Sequence, residues 1–158
     1  MASIIKGLIE YSGVANNFPE HPLHFKQFTV QEELMLPAAK PDIEQIIRVL
    51  AEVEIKHTRV IETPVATSFE GQKLTGKKLL IEGEIFQKIE YVADEPTQAV
   101  HAAHFQVPFS AYIVLPDWYS DDAKLTVVPY IEDIYIQQIG KRKMFKNVVL
   151  FLDAVIRV

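Results

Sequence analysis

Apolar and polar side chains alternate along most of this chain. Between residues 79 and 92, apolar residues dominate the odd-numbered positions and charged residues the even-numbered ones. The apolar set is Leu79, Ile81, Ile85, Ile89 and Tyr91. A period of two is that of a β-strand, because successive side chains of a strand point to opposite faces. The same alternation predicts strands over residues 4–15, 24–36, 47–62, 101–115, 125–139 and 148–158.

These strands are joined by turn-forming segments, and no long helical pattern interrupts them. The fold class predicted is therefore all-β, an antiparallel β-sandwich or barrel-like domain. One short helical turn is expected near residues 42–47, since Asp42 can cap it and Ile43, Ile46 and Ile47 are spaced like one face of a helix. The chain has 158 residues and no linker-like stretch, which predicts a single domain over residues 1–158.

Composition and charge narrow the classes of partner. Hydrophobic residues make up 49% and charged residues 23%, as in an ordinary globular protein. A net charge of -5 argues against nucleic acid or an anionic membrane as the partner. No stretch approaches the roughly 20 apolar residues of a membrane helix, so no membrane insertion is expected. The N-terminus has no long apolar core, which predicts a protein without a signal peptide that stays in the cytosol.

Residues 71–78 come close to a nucleotide-binding P-loop, whose pattern is G-x-x-x-x-G-K-[ST]. A P-loop wraps phosphates at the start of a helix that follows a buried strand. The segment before residue 71 is instead short, polar and interrupted by Pro64, and the segment after it alternates like a strand. Lys78 also stands where the magnesium-binding hydroxyl should be. We therefore interpret Gly71–Gly76 as the turn of a β-hairpin between long strands.

The remaining chemical groups do not form a recognisable catalytic or metal site. His101 and His104 are three residues apart, which on a strand places them on opposite faces unless a bulge intervenes. Glu132 and Asp133 are adjacent, so they also face apart, and we expect them to pair with basic residues of the C-terminal segment: Lys141, Arg142, Lys143 or Lys146. The chain has no cysteine, which excludes disulfides and thiol catalysis. The sequence predicts no catalytic residue, no cofactor and no metal, hence no enzyme.

Two apolar features are candidates for an interface. Trp118 and Tyr119 are adjacent in a polar loop, where they suit an interface anchor or a sugar-stacking platform; the alternative is a loop folded back onto the core. The N-terminal run contains Ile4, Ile5 and Leu8 and could form a strand within the monomer or be donated to a neighbouring chain.

Several blocks of the sequence together resemble one known family. They are Phe25–Glu32, Lys40–Ile46, Glu70–Gly76, Ile89–Ala93, Val107–Ser110 and Tyr130–Asp133. These blocks are similar to the SPOCS domain family of spore-coat morphogenesis proteins in endospore-forming bacteria, where the domain often stands beside a LysM peptidoglycan-binding module. No LysM-like segment is present here, so contacts with other coat proteins or with copies of itself are expected instead.

The resemblance implies a non-enzymatic structural protein of the spore coat or a related surface structure. Such a protein would act through protein–protein contacts and self-association. Filaments are one form that the assembly could take. It would be found in the mother-cell cytoplasm and at the spore surface. The alternative function is that of a glycan- or peptidoglycan-binding module.

Overall fold

A computed structural model describes residues 2–67, 69, 71 and 73–158 of the chain. None of these residues is helical, and they form eight β-strands. In chain order the strands are β1 Ala2–Lys6, β2 Ile9–Val14, β3 Phe25–Met35, β4 Ile43–Thr67, β5 Lys73–Ala93, β6 Val100–Val114, β7 Lys124–Gln138 and β8 Lys143–Arg157. The predicted all-β class is confirmed.

The strands form two sheets that face each other like a sandwich. The large sheet has the order β1-β2-β4-β5-β6, and the small sheet has the order β3-β8-β7. Ile85 and Ile89 of β5 pack in the same buried cluster as Val148 and Leu150 of β8. The alternation predicted for residues 79–92 is confirmed, because every odd-numbered residue is buried and, of the even-numbered ones, only Leu80 is. The hydrophobic effect on these inner faces therefore holds the two sheets together.

The predicted helical turn near residues 42–47 is wrong, since β4 begins at Ile43. β4 pairs with β5 there, with Ile43 opposite Ala93 and Ile46 opposite Tyr91. The register shifts between Ile43 and Gln45 and again between Ile46 and Arg48, so β4 carries extra residues at both places. Each extra residue changes which face the following side chains take. Buried positions consequently recur every three residues, at Ile43, Ile46 and Val49, which imitates the spacing of a helix.

The predicted strand over residues 4–15 is in fact two strands. The chain reverses at Gly7, whose φ of 63° is readily adopted only by glycine, and Lys6 then faces Ile9 across the hairpin. β2 next pairs with β4 in parallel, through Glu10–Ser12. The predicted antiparallel sandwich thus contains a parallel junction between β2 and β4, while the other strand pairs of the described residues are antiparallel.

The hairpin predicted around residues 71–76 is confirmed, but its turn lies earlier. Thr67 of β4 faces Lys73 of β5, so the chain has already reversed before Lys73; residues 68, 70 and 72 lie outside the described part of the chain. Gly76 is inside β5, with φ of 106°, opposite a register shift between Glu62 and Val65. A strand rather than a helix thus follows the glycine, and the geometry of a P-loop is not formed.

Gly13 should be the position least tolerant of a side chain at the junction of β2 and β4. A Cβ there would lie 2.0 Å from the carbonyl oxygen of Ala51, and the φ of 116° strains any residue other than glycine. Gly13→Ala should lower the free energy of unfolding by about 3 kcal/mol. Urea denaturation measures this. As a control, Gly7→Ala meets no atom within 4 Å and should cost only about 1 kcal/mol; equal losses in both variants would contradict the close approach of β2 to β4.

Candidate functional site

The hairpin of β1 and β2 presents apolar side chains at an edge of the large sheet. Ile5 is 74% exposed and Leu8 is 77% exposed, while Ile4 is partly covered. Among the described strands, β1 has a neighbour on one side only, so its other side offers free backbone groups to another chain. Ile4 and Ile5 are consecutive residues of β1 and point to opposite faces of the sheet, and Leu8 lies in the turn that follows. We call this hairpin the N-terminal edge.

The N-terminal edge is anchored to its own chain. Tyr11 of β2 is buried, and its hydroxyl oxygen accepts a hydrogen bond of 3.3 Å from the backbone N–H of Ile136 in the small sheet. Lys6 at the end of β1 forms an ion pair with Asp133. Of the two arrangements predicted for the N-terminal run, the structure shows the strand within the monomer.

Trp118 and Tyr119 do not form one aromatic platform. Trp118 is 55% exposed, with its ring centroid 6.1 Å from that of His24. Tyr119 packs against a buried cluster that includes Leu115, and the ammonium group of Lys77 lies 5.5 Å from the centre of its ring. Tyr119 therefore follows the alternative of a loop folded onto the core, and Trp118 alone remains available to a partner.

Trp118 borders a groove of about 220 Å³ between the loop before β3 and the C-terminal end of that strand's neighbour β8. His21, His24 and Asp153 also line this groove. Burial raises the pKa of the Asp153 carboxyl, against the opposing influence of His24. An exposed indole beside a carboxyl group and imidazoles combines a stacking surface with hydrogen-bonding groups, as sites for small polar ligands do.

A second free edge runs along β4, and sequence reasoning missed it. β2 pairs with β4 only as far as Leu50, whereas β4 continues to Thr67. Beyond Leu50, the strand pairs with β5 on one side and with no other strand of the described residues on the other. The difference in strand length is the signal that could have revealed this edge. β4 has 25 residues and β2 has 6, so most of β4 had to extend beyond β2.

The other polar candidates have separate partners. His101 lies 3.3 Å from a carboxylate oxygen of Glu95 and stacks on Tyr91, while His104 is exposed on the other face of β6. No group of three potential metal ligands occurs in residues 2–67, 69, 71 and 73–158.

The predicted partners of Glu132 and Asp133 are wrong. Asp133 pairs with Lys6, and Glu132 accepts a hydrogen bond of 2.6 Å from the side-chain amide of Gln27. Of the basic residues expected there, Arg142 pairs with Asp42 and Lys143 with Glu33. The partners of these two carboxylates come from β1 and β3, which lie far from them in the sequence.

Lys146 lies inside the sandwich. It points from β8 to the same side as Met144 and Val148, its side chain is only 2% exposed, and its Nζ has no hydrogen-bond partner among the described residues. Removal from water lowers its pKa from 10.5 to about 7, and the negative charge of Glu32 on β3 acts in the opposite direction. In the β7–β8 pair, the residue opposite Lys146 is the apolar Ile136. Near pH 7, a large fraction of the protein molecules therefore carries a neutral amine in the core.

The amine of Lys146 should make stability depend on pH. The unfolded chain keeps this proton up to the ordinary pKa of 10.5, whereas the folded protein loses it at about 7. Between these values the unfolded state binds more protons, so the free energy of unfolding should rise with pH, by at most about 1.4 kcal/mol per pH unit. Urea denaturation at pH 7 and pH 9 measures the rise.

Lys146→Met keeps the apolar stem and removes the charge, so most of this rise should disappear and the variant should be the more stable protein at pH 7. The exposed Lys26 supplies the matched control, because Lys26→Met should leave the pH dependence unchanged. The same rise in wild type and in Lys146→Met would show that Lys146 is not buried in the folded protein.

Comparison with known proteins identifies the family. The family model described as "SipL, SPOCS domain" matches residues 42–139, more than half of the chain. The chain belongs to the SPOCS domain family, which implies a protein related to the spore coat. The match covers β4 to β7, and the resembling block at residues 25–32 lies outside it.

No curated protein and no solved structure shows significant similarity to the chain. Among the described residues there is also no helix long and apolar enough to cross a membrane.

Proposed function

We propose that this SPOCS-family chain is a non-enzymatic structural protein of the spore coat or a related surface structure. It acts through protein–protein contacts, and it assembles with copies of itself and with other coat proteins. It is made in the mother-cell cytoplasm and works at the spore surface. The observation that carries the proposal is the N-terminal edge, an unpaired strand edge that bears exposed apolar side chains.

Two properties make this edge suitable for assembly. An edge strand has a row of unsatisfied N–H and C=O groups that another strand can pair with, and soluble proteins commonly block such edges with charged residues. At the N-terminal edge, Ile5 and Leu8 are instead both apolar and largely exposed. Contact with a second protein would remove these side chains from water and satisfy the backbone groups at the same time.

Replacing the apolar side chains of the N-terminal edge should therefore weaken assembly without unfolding the protein. The double variant Ile5→Lys/Leu8→Lys should shift the protein from oligomers towards smaller species, because lysine on an edge strand opposes strand addition. Sedimentation velocity and electron microscopy measure the size and form of the assemblies. Deleting residues 1–11 is a poorer test, since it also removes the buried Tyr11.

Val100 at the start of β6 provides the matched control. It is an exposed apolar residue at the opposite edge of the same sheet. Val100→Lys should leave assembly as in wild type. Wild-type protein that stays monomeric at every concentration, or a double variant that assembles like wild type, would contradict the proposed role of the N-terminal edge.

A second candidate function is binding of glycan or peptidoglycan, and the groove beside Trp118 favours it. An indole ring can stack on the apolar face of a sugar, while Asp153 and His24 can exchange hydrogen bonds with its hydroxyl groups. Trp118→Ala should then abolish co-sedimentation of the protein with purified peptidoglycan. Tyr112→Ala removes another exposed aromatic ring and should have no effect. Wild-type protein that never co-sediments would eliminate this function.

A further inference from the structure

We infer that the free edge of β4 pairs with the same edge of a second copy of this chain, antiparallel, about a two-fold axis between Lys56 and His57. The two large sheets would then form one continuous sheet. This inference rests on the proposed self-association and names a surface for it that is separate from the N-terminal edge. Its basis is the way in which one bulge arranges charge and apolar side chains along β4.

The edge is open because β2 turns away from it. Gly13 lies against the backbone of Ala51, and Ala15 then donates a hydrogen bond from its N–H to Ile131 in the small sheet. From Glu52 onwards, the backbone groups of β4 that point away from β5 meet no other strand of the described residues. Such groups are strong hydrogen-bonding sites, and a second strand is the partner that satisfies them in order.

A bulge divides this edge into two halves with opposite alternation. Before it, Val53 faces the buried Ile85 and so belongs to the inner face. The register shifts between Ile55 and His57, and afterwards Val60 faces the buried Leu79. Odd-numbered residues are thus inner before the bulge and even-numbered residues are inner after it.

An antiparallel pair centred on the bulge matches the faces of the two copies. Residues whose numbers add up to 113 then lie opposite each other, so Val53 faces Val60 of the second copy on the inner side. Glu54 faces Arg59 of the second copy on the outer side, where opposite charges attract. By two-fold symmetry each of these contacts occurs twice.

Neighbouring registers are less favourable. A shift of two positions in one direction places Lys56 opposite Arg59, two like charges. The same shift in the other direction places Ile55 opposite Lys56, although Ile55 packs against the core and Lys56 forms an ion pair with Glu54 on the outer face. A shift of one position brings inner residues opposite outer ones, which strand pairing does not allow.

The ends of the pairing also fit. Ile61 lies opposite Glu52 of the second copy, where the free edge begins. Glu62 and Pro64 would come beside Ala51 and Val49, where β2 already lies, and Pro64 also has no N–H to donate. Beside Glu52 and Val53 there is an open groove of about 470 Å³, lined also by Tyr130, that can receive the incoming strand. The incoming β4 strand of the second copy therefore stops being able to pair at the point where β2 closes the free edge.

Disulfide cross-linking tests the register directly, because the native chain has no cysteine. In Val53→Cys/Val60→Cys, the two new thiols of one chain are seven residues apart on a strand, about 23 Å, which is too far for a bond. In the inferred pair, each faces its counterpart at about 5 Å between Cα atoms. Mild oxidation should therefore give a covalent dimer on a non-reducing gel, while the control Val53→Cys/Ile61→Cys should give none.

Charge exchange provides an independent measurement. Glu54→Arg alone and Arg59→Glu alone should each weaken the dimer about tenfold in sedimentation experiments, since each places like charges opposite one another twice. The combined variant Glu54→Arg/Arg59→Glu should recover most of the wild-type affinity. A combined variant that is weaker than either single one would overturn the register.

The outcomes separate this inference from the proposed function. Oligomers of the Val53→Cys/Val60→Cys protein that never cross-link would overturn the β4 pairing and leave assembly through the N-terminal edge standing. A protein without oligomers or cross-links would overturn both. A disulfide between a Val53→Cys chain and an Ile4→Cys chain would show that β1 of a neighbour occupies the edge instead, and would also overturn the β4 pairing.

Discussion

The antiparallel pairing of β4 with β5 is the constraint on which the rest of the structure depends. Within the large sheet, β2 attaches to β4 and β6 attaches to β5, and β1 is joined only through β2. The inner face of β5 contributes to both buried clusters, with Ile85 in one and Leu79 in the other. The small sheet covers this face, so the register of one hairpin determines what the second sheet packs against.

Bulges in β4 modify this pairing and produce much of what is specific to the molecule. Two of them, near Ile43 and Ile46, bring successive buried side chains to a spacing of three where β4 starts. A third, at Lys56, reverses the alternation midway along the free edge. Because a bulge changes the face of every residue that follows it, a single extra residue alters the surface that the whole strand presents to a neighbour.

The core is not purely apolar, and its polar members have different energetic consequences. Tyr11 is buried with its hydroxyl satisfied by the backbone of β7, so it connects the two sheets at little cost. Lys146 has no such partner in the part of the chain that the structure describes, and its burial opposes folding whenever the amine is charged. The free energy gained by packing the two sheets together must exceed this cost. Because the cost depends on the charge of the amine, the stability of the sandwich depends on pH.

The sequence by itself determined the all-β class and the phase of nearly every strand, because a period of two along β5 or β8 is a local property that burial on one face imposes. The blocks that resemble the SPOCS family were equally visible, and the family match at residues 42–139 confirms that assignment. The β4–β5 hairpin was predicted too, although the position of Gly76 within β5 was not.

Only the tertiary structure decided how these strands meet. Residues far apart in the chain form the parallel junction of β2 with β4 and the ion pair of Asp133 with Lys6. They also give the adjacent Trp118 and Tyr119 different surroundings, since one is exposed and the other packs on the core. The same holds for the free edge of β4, which exists because β2 leaves it for the small sheet. Local patterning specifies which face of a strand is buried, but which neighbour covers that face, and which edge stays uncovered, follows from packing of the whole chain.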